Sequence, residues 1–431
     1  MAVAVEDWVR TLGFMDVYRM LKLGDAVIHI PDNISKRMKI FVGDLTLISN
    51  RPVEIFTDER IQFLATLSST LFKLPQVRSL PDVSTFAYWS RKSNLLRLRE
   101  LSKSKSKFKM GLGLSFHICP SNVPINFAFS MAFGLLAGNT CVIRLPTKES
   151  PTISTLIEAI LNVLSIPEYA DIKSEILIAR FLRDDEVNKF WLSVADCKIV
   201  WGGDDTVNHF RSLPSQPRSR EVAFPDRYSL CILNPSEVNL LDNGGLKKLT
   251  LNLFNDIYLM DQAACSSPQL IVWIGEDEEV RSAKMRLWPA LVEIVADRYE
   301  LKPVHAVDKY VEACNIAINN ERAISVECSG NLLYRIELSS ISVEQDKYRG
   351  YFGTVHEITL RSMDELSPMV NERYQTITYF GFMPNIIRNV IASQKLRGID
   401  RVVPVGAAID MGLFWDGYDI VTSLSREIVF Q

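Results

Sequence analysis

A cysteine stands at the junction DQAACSSPQ, where an amphipathic helical stretch gives way to an apolar strand. Cys265 has Ala263, Ala264, Ser266 and Ser267 around it, and side chains this small leave a thiol open to approach. Its thiolate could attack an acyl carbonyl without an elaborate base. Most cysteines are inert small hydrophobes, and that reading holds for Cys119, Cys141, Cys197, Cys231, Cys314 and Cys328, each within an apolar strand or helix. The segment HICPSNVP supplies a second group: Asn122, in a proline-bracketed turn at the carboxyl end of a buried strand, where open α/β sheets bind ligands. Its amide could donate to a developing oxyanion together with the backbone N–H of a nucleophile, or it could merely satisfy its own turn. In WGGDDTVNHF a strand ends at Trp201, Gly202 and Gly203 let the backbone approach a ligand, and a helix opens at Asp204. A pyrophosphate would suit that helix start, yet Asp204 and Asp205 would repel it. His29, His117, His209, His305 and His356 lack metal-ligand spacing to one another, and there is no GxGxxG, Walker or GxSxG motif, so no metal site is expected. His117, inside an apolar strand, reads as a hydrogen-bonded core histidine.

These groups need a scaffold, and the pattern around them supplies one. After residue 110 strand and helix signals alternate: LSFHI, a helix from Pro124 to Ala137, CVIRL, a helix from Pro151, ILIARFL, a helix from Asp184, KIVW, a helix from Asp204, then REVAF and YSLCIL. Apolar strand runs separated by helices imply a parallel sheet covered on both faces. The pattern restarts after NPSEVNLLDNGG with the helix LKKLTLNLFNDIYLM, the strand QLIVWI, a helix opened by EDEE, and strands in SVECSG, YRIEL and HEITL. The expectation is therefore an α/β chain of two doubly wound parallel-sheet domains. Residues 1–235 make an N-terminal wrapping region and a first domain, 236–398 a second domain carrying Cys265, and 399–431 a return and a tail. That tail, FWDGYDIVTSLSREIVFQ, is β-branched and aromatic enough to pair across an interface.

Composition narrows the function classes. Of 431 residues, 47% are apolar and 23% charged, which excludes a disordered or fibrous chain. The balance of 48 basic against 51 acidic residues leaves no field for nucleic acid or an anionic membrane. One local exception is residues 91–109, where Arg91, Lys92, Arg97, Arg99, Lys103, Lys105, Lys107 and Lys109 face Glu100 alone. It reads as a solvated helix end and linker, or as a docking strip for an acidic carrier or a CoA phosphate. Unpaired cysteines and a charged N-terminus point to a reducing, cytoplasmic compartment. Prolines and asparagines break the apolar stretch from Gly111 to Ile143 before it can form a membrane span.

Taken together, HICPSNVPINFAFSMAFGLLAGNTCVIRLP, VWGGDDTV with REVAFPDRYS, DQAACSSPQ, YFGTVHEITL and the closing RVVPVG with FWDGYDIV resemble the aldehyde dehydrogenase superfamily. More closely, they resemble fatty acyl-CoA reductases of the bacterial bioluminescence (Lux) type, over roughly residues 110 to 430. The resemblance implies that Cys265 is the acyl-accepting nucleophile and Asn122 the oxyanion donor. It implies a nicotinamide cofactor at Pro120, Ser121, Arg144, Thr147, Lys148, Gly202, Gly203 and Phe352. Arg144 replaces a lysine that touches the adenosine ribose, and Thr147 with Lys148 stands where NAD-preferring members often carry a glutamate, which favours NADPH. Gly350 replaces a glutamate often found near the ribose. Ala223 occupies the position of the glutamate that activates water in oxidising members, so a thioester on Cys265 would outlast hydrolysis and await reduction. The implied reaction is NADPH-dependent reduction of a fatty acyl-CoA or acyl-carrier thioester to the aldehyde. An acyl-transferring synthetase partner and a homo-oligomer are implied too. A cysteine acyltransferase and a non-catalytic scaffold are the competing readings.

Overall fold

The computed structural model describes residues 27–102 and 108–430. The N-terminal segment and residues 103–107 of the basic strip lie outside the described residues. The chain divides into two compact units, one running to Pro225 with 412–414 and 418 onward, the other comprising 226–411 with 415–417.

Up to Pro225 the first unit has strands β1 (Lys39–Val42), β2 (Phe108–Gly111), β3 (Leu114–Ile118), β4 (Thr140–Arg144), β5 (Ile176–Arg180), β6 (Cys197–Trp201) and β7 (Arg220–Phe224). Six of them form a sheet in the order β1-β5-β4-β3-β6-β7. Only β1 runs antiparallel, against β5. The remaining strand, β2, pairs with Ser425–Ile428 of the same chain, so this part of the tail completes its own unit. LSFHI is apolar because both faces of β3 are covered, and all five of its residues are buried. Helices Asn126–Leu136, Pro151–Leu164, Asp185–Val194 and Asp204–Ser212 supply the covering layers. The sheet reverses direction at β3, with β4 on one side and β6 on the other, which makes the carboxyl ends of β3 and β6 the expected ligand crevice. Among the described residues no helix is long and apolar enough to cross a membrane.

The second unit has strands β8 (Tyr228–Leu233), β9 (Leu270–Ile274), β10 (Ala323–Ser329), β11 (Leu333–Leu338), β12 (Thr354–Leu360), β13 (Tyr374–Phe380) and β14 (Arg401–Pro404). They form one sheet in the order β10-β11-β12-β9-β8-β13-β14, with only β10 antiparallel. Alternate residues serve opposite cores. Ile271 and Trp273 join Leu253, Phe254 and Leu287 on one face, while Leu270 and Val272 join Ile316, Ile358 and Ile387 on the other. Each large side chain buried this way contributes about 1.5–3 kcal/mol. The boundary falls at Pro225, not near 236, because YSLCIL hydrogen-bonds between β9 and β13 and so belongs to the second sheet. Residues 399–411 likewise stay with that sheet, through β14.

Candidate active site

At the carboxyl end of β3 the chain leaves the sheet through Cys119, Pro120, Ser121 and Asn122 before the helix Asn126–Leu136 begins. Ser121 and Asn122 are exposed, and Pro120 is half-buried. The strand beneath them is held rigidly. His117 is buried, with Nε2 on Ser115 Oγ at 2.8 Å and Nδ1 on Ser130 Oγ at 2.7 Å, while Trp201 Nε1 donates to the same Ser130 oxygen at 2.9 Å. Burial pulls the imidazole down to about 3, so it stays neutral and structural. At the end of β6, Gly202 and Gly203 lead into Asp204–Ser212. A Cβ at Gly203 would meet nothing within 4 Å, so packing gives no reason for glycine there.

Arg144 ends β4 with its guanidinium over the rings of Phe181 and Phe210, at 5.1 and 5.8 Å. Its Nε is buried without a hydrogen-bond partner. Burial, then the neighbouring Arg183, pull its pKa down. A desolvated cation in that state is costly and is relieved by an anion. Beside it, Thr147 lines a pocket of about 410 Å³ with Lys36, Arg37, Lys39, Arg180 and Phe181. Lys39 reaches the pocket because it pairs with Arg180 across β1 and β5. The unpartnered Arg144 Nε and the lining cations, of which Lys36, Arg37 and Arg180 also pair with Asp32, Asp184 and Glu149, are groups that could receive a phosphorylated nucleotide.

The second unit places Cys265 in a turn at the amino ends of its strands. Asp261 and Gln262 precede it with φ of 52° and 61°, a left-handed pair that costs about 1–2 kcal/mol per residue. Gln262 holds that conformation. Its Nε2 donates to Pro268 O and Thr354 O, both at 2.9 Å, and its Oε1 accepts from Gly353 N and Thr354 N, both at 3.1 Å. One buried amide therefore joins the cysteine turn to the Phe352 turn. Phe352 N donates to Asp261 O at 3.2 Å, and Gly350 N to Gln269 Oε1 at 2.8 Å. Phe352 itself has φ of 58° and stacks on His305 at 4.3 Å, while Lys309 Nζ donates to its carbonyl at 2.8 Å.

Around the sulfur the charges conflict. The residue keeps partial exposure, yet the protein surrounding the thiol pushes it up to about 11. Burial is the main cause and Asp416 adds to it, while Gln375, Arg227 and Arg349 oppose. At pH 8 such a thiol is about one part in a thousand thiolate. Alkylation of Cys265 by iodoacetamide is accordingly expected to quicken about tenfold per pH unit from 7 to 10 without a plateau; a plateau near pH 8 would contradict the crowded, acid-flanked sulfur. The acid in this neighbourhood is Asp416, which pairs with Arg227 and accepts from Gln375 Nε2 at 3.0 Å. Ala223, by contrast, is buried in an apolar cluster of the first unit, where a carboxylate would be desolvated.

The family model for acyl-CoA reductase (LuxC) matches residues 91–427. The chain belongs to the LuxC acyl-CoA reductase family. Among its relatives, the long-chain acyl-protein thioester reductase of Photorhabdus luminescens is 22% identical over 303 residues, covering 68% of this chain and 58% of that one. The Aliivibrio fischeri protein of the same name is 21% identical over 301 residues, with the same coverage. This LuxC-family chain thus spans little more than half the length of the curated relatives it matches. Solved structures show the aldehyde dehydrogenase fold. Lactaldehyde dehydrogenase from Escherichia coli superposes with a TM-score of 0.59 at 13% identity over 86% of both chains. A point mutant of Thermus thermophilus 1-pyrroline-5-carboxylate dehydrogenase gives 0.59 at 10% identity over 97% of this chain and 96% of that one. NADP-dependent glyceraldehyde-3-phosphate dehydrogenase from Bacillus halodurans, complexed with NADP, gives 0.56 at 16% identity over 86% of this chain and 85% of that one.

In this LuxC-family chain the sequence-derived residues divide between the units. Pro120, Ser121, Asn122, Arg144, Thr147, Lys148, Gly202 and Gly203 belong to the first, and Cys265 and Phe352 to the second. Within the second unit the structure brings Cys265 and Phe352 onto one hydrogen-bonded frame through Gln262. Sequence reasoning missed Gln262, Gln375, Asp416 and the cations Lys36, Arg37, Lys39 and Arg180. The run SKRMK before a strand signal was available for three of these cations. Nothing local marks the glutamines.

Proposed function

We propose that the chain reduces a fatty acyl thioester to the aldehyde with NADPH, through a covalent ester on Cys265. The observation that carries this reading is the single frame holding the cysteine of the small-residue turn and the aromatic Phe352 together, in a chain of the LuxC family. Relatives named as long-chain acyl-protein thioester reductases support a long-chain acyl group carried on a protein, with CoA as the other candidate carrier.

Cys265 Sγ attacks the thioester carbonyl, and its proton goes to the departing thiol, so one thioester replaces another. Asn122 and the Cys265 backbone N–H are the donors we assign to the oxyanion, each worth a few kcal/mol when aimed at the developing charge. Arg144, Thr147 and Lys148 hold the phosphorylated ribose, with Pro120, Ser121, Gly202 and Gly203 along the dinucleotide and Phe352 beside the nicotinamide. When bound, the cofactor supplies the hydride equivalent that converts the enzyme thioester to aldehyde. Asp416, engaged by Arg227 and Gln375, is not free to recruit water.

Loss of NADPH absorbance on adding a long-chain acyl-CoA or acyl-carrier protein tests this reading. Acyl labelling of Cys265 with no NADPH consumed would assign an acyltransferase, and no labelling with either donor would assign a scaffold. Arg144→Ala is expected to raise KM for NADPH by about ten- to a hundredfold, the loss of one charged contact of about 1.5–3 kcal/mol, while leaving Cys265 alkylation unchanged. An unaltered KM would remove Arg144 from the cofactor site.

A further inference from the structure

Strand β13 passes next to the nucleophile turn. Ser229 Oγ donates to the Cys265 carbonyl at 2.7 Å and accepts from Thr376 N at 3.2 Å, so the neighbour of Gln375 is one hydroxyl away from the cysteine backbone. Gln375 is buried, and its amide has a determined orientation. Nε2 donates to Asp416 Oδ1 at 3.0 Å, and Oε1 accepts from Thr376 Oγ1 at 3.4 Å. The flipped amide would turn an oxygen toward a carboxylate that can only accept. Burial raises the Asp416 carboxyl above its usual range and the paired Arg227 opposes that rise; Arg227 is also paired with Asp400 and donates to Tyr374 O at 2.8 Å and Gly398 O at 3.2 Å. Asp416 itself sits in the left-handed region, φ 53°, directly before Gly417, which accounts for the WDG turn that delivers it. One Nε2 proton is committed to Asp416, and the same side chain is the hydrogen-bond partner that draws the Cys265 thiol down against burial.

We propose that Arg227, Asp416 and Gln375 form a relay in which Arg227 and Asp416 are positioning residues that aim the Gln375 amide at the Cys265 sulfur. The inference rests on Cys265 being the nucleophile and adds the groups that prepare it. An N–H donor favours thiolate over thiol. It also keeps the carboxylate one side chain away from the acyl carbon, so the group next to the ester is an amide, which cannot act as a general base toward water. The charged groups acting on the sulfur are Asp416, Arg227, Arg349 and Arg401, with Asp400 acting on Asp416. Removing the amide and removing the acid therefore act in opposite directions.

The test is the pH profile of Cys265 alkylation by iodoacetamide in the full chain, read by peptide mass mapping, with thermal unfolding as a control. Gln375→Met keeps the volume and loses the donor. It is expected to slow alkylation about tenfold at fixed pH, the equivalent of one pH unit, without changing KM for NADPH. Asp416→Asn removes the opposing charge and leaves Arg227 in place, so it is expected to accelerate alkylation about tenfold. A structural role alone would not move the two profiles apart. Folded variants whose profiles overlay the parent, or move the same way, overturn the relay. If Gln375→Met fails to fold, Gln375→Leu, which also loses the donor, is read in its place, and an unslowed alkylation overturns the relay. Incubation of the parent chain with a long-chain acyl-CoA separates the two ideas. Acylated Cys265 with unmoved profiles sinks the relay and keeps the nucleophile; opposed profiles without acylation keep the relay and sink the nucleophile.

Discussion

Cys265→Ala is expected to abolish aldehyde formation, with kcat lower by about a thousandfold or more, because no other group could take over the covalent step. The change deletes one sulfur from a partly exposed side chain. Its backbone anchor, Ser229 Oγ on the Cys265 carbonyl at 2.7 Å, is independent of the side chain and survives. Unfolding should therefore move by no more than about 1 kcal/mol. The prediction is sharpened by the other thiols. Cys119, Cys141, Cys197 and Cys231 are buried, and burial pushes the thiols of the last three up to about 12. Cys328 is exposed and Cys314 half-buried, so these two are the competitors for label. Mass mapping after incubation with a long-chain acyl-CoA should find the acyl group on the Cys265 peptide of the parent and on no peptide of the variant. NADPH consumption at the parental rate by a folded alanine variant would refute the assigned nucleophile.

The legible parts of this fold are those whose causes are local. LSFHI and CVIRL read as doubly covered strands because every residue of the first is buried and only Arg144 breaks the second pattern. Cys265 and Asn122 stood out because small residues and prolines shape turns within a few positions of themselves. The domain boundary was misplaced because YSLCIL continues the apolar alternation of the first unit. Its sheet is decided by hydrogen bonds to β9 and to β13, some forty and a hundred and forty-five residues away. The same distance hides the chemistry around the sulfur. Arg227 meets Asp400 and Asp416 only after the second sheet closes, and a glutamine at 375 looks like any polar residue entering a strand. Lys39 becomes a pocket residue only through antiparallel pairing with β5, a partnership the predominantly parallel pattern did not suggest. Ala223 is legible by position as the absent base that the resemblance implies, and its place in an apolar cluster adds that a carboxylate there would be desolvated.

Gln262→Ala should have the largest effect on the integrity of the site. The side chain is buried, and both ends of its amide are fully used: two carbonyls receive its protons and two backbone amides donate to its oxygen. At about 1 kcal/mol net per hydrogen bond, and more for backbone groups left orphaned inside, the loss is about 4 kcal/mol. For a unit of this size that is an unfolding midpoint lower by roughly 10 °C. Both halves of the reaction should suffer together, since the same amide fixes the turn before Cys265 and the turn after Phe352: acyl labelling slows and KM for NADPH rises. Gln262→Glu offers no escape, because its second oxygen would face the carbonyls of Pro268 and Thr354, and the acid would have to be buried protonated. Gln262→Gly separates the two costs. Glycine loses the same four hydrogen bonds but relieves the left-handed backbone at φ 61°, so it should unfold about 1 kcal/mol later than the alanine variant. Thermal unfolding of the three variants, followed alongside Cys265 labelling, checks the order Gln above Gly above Ala. An alanine variant as stable as the parent would mean that the cysteine and Phe352 turns are held by something other than this amide.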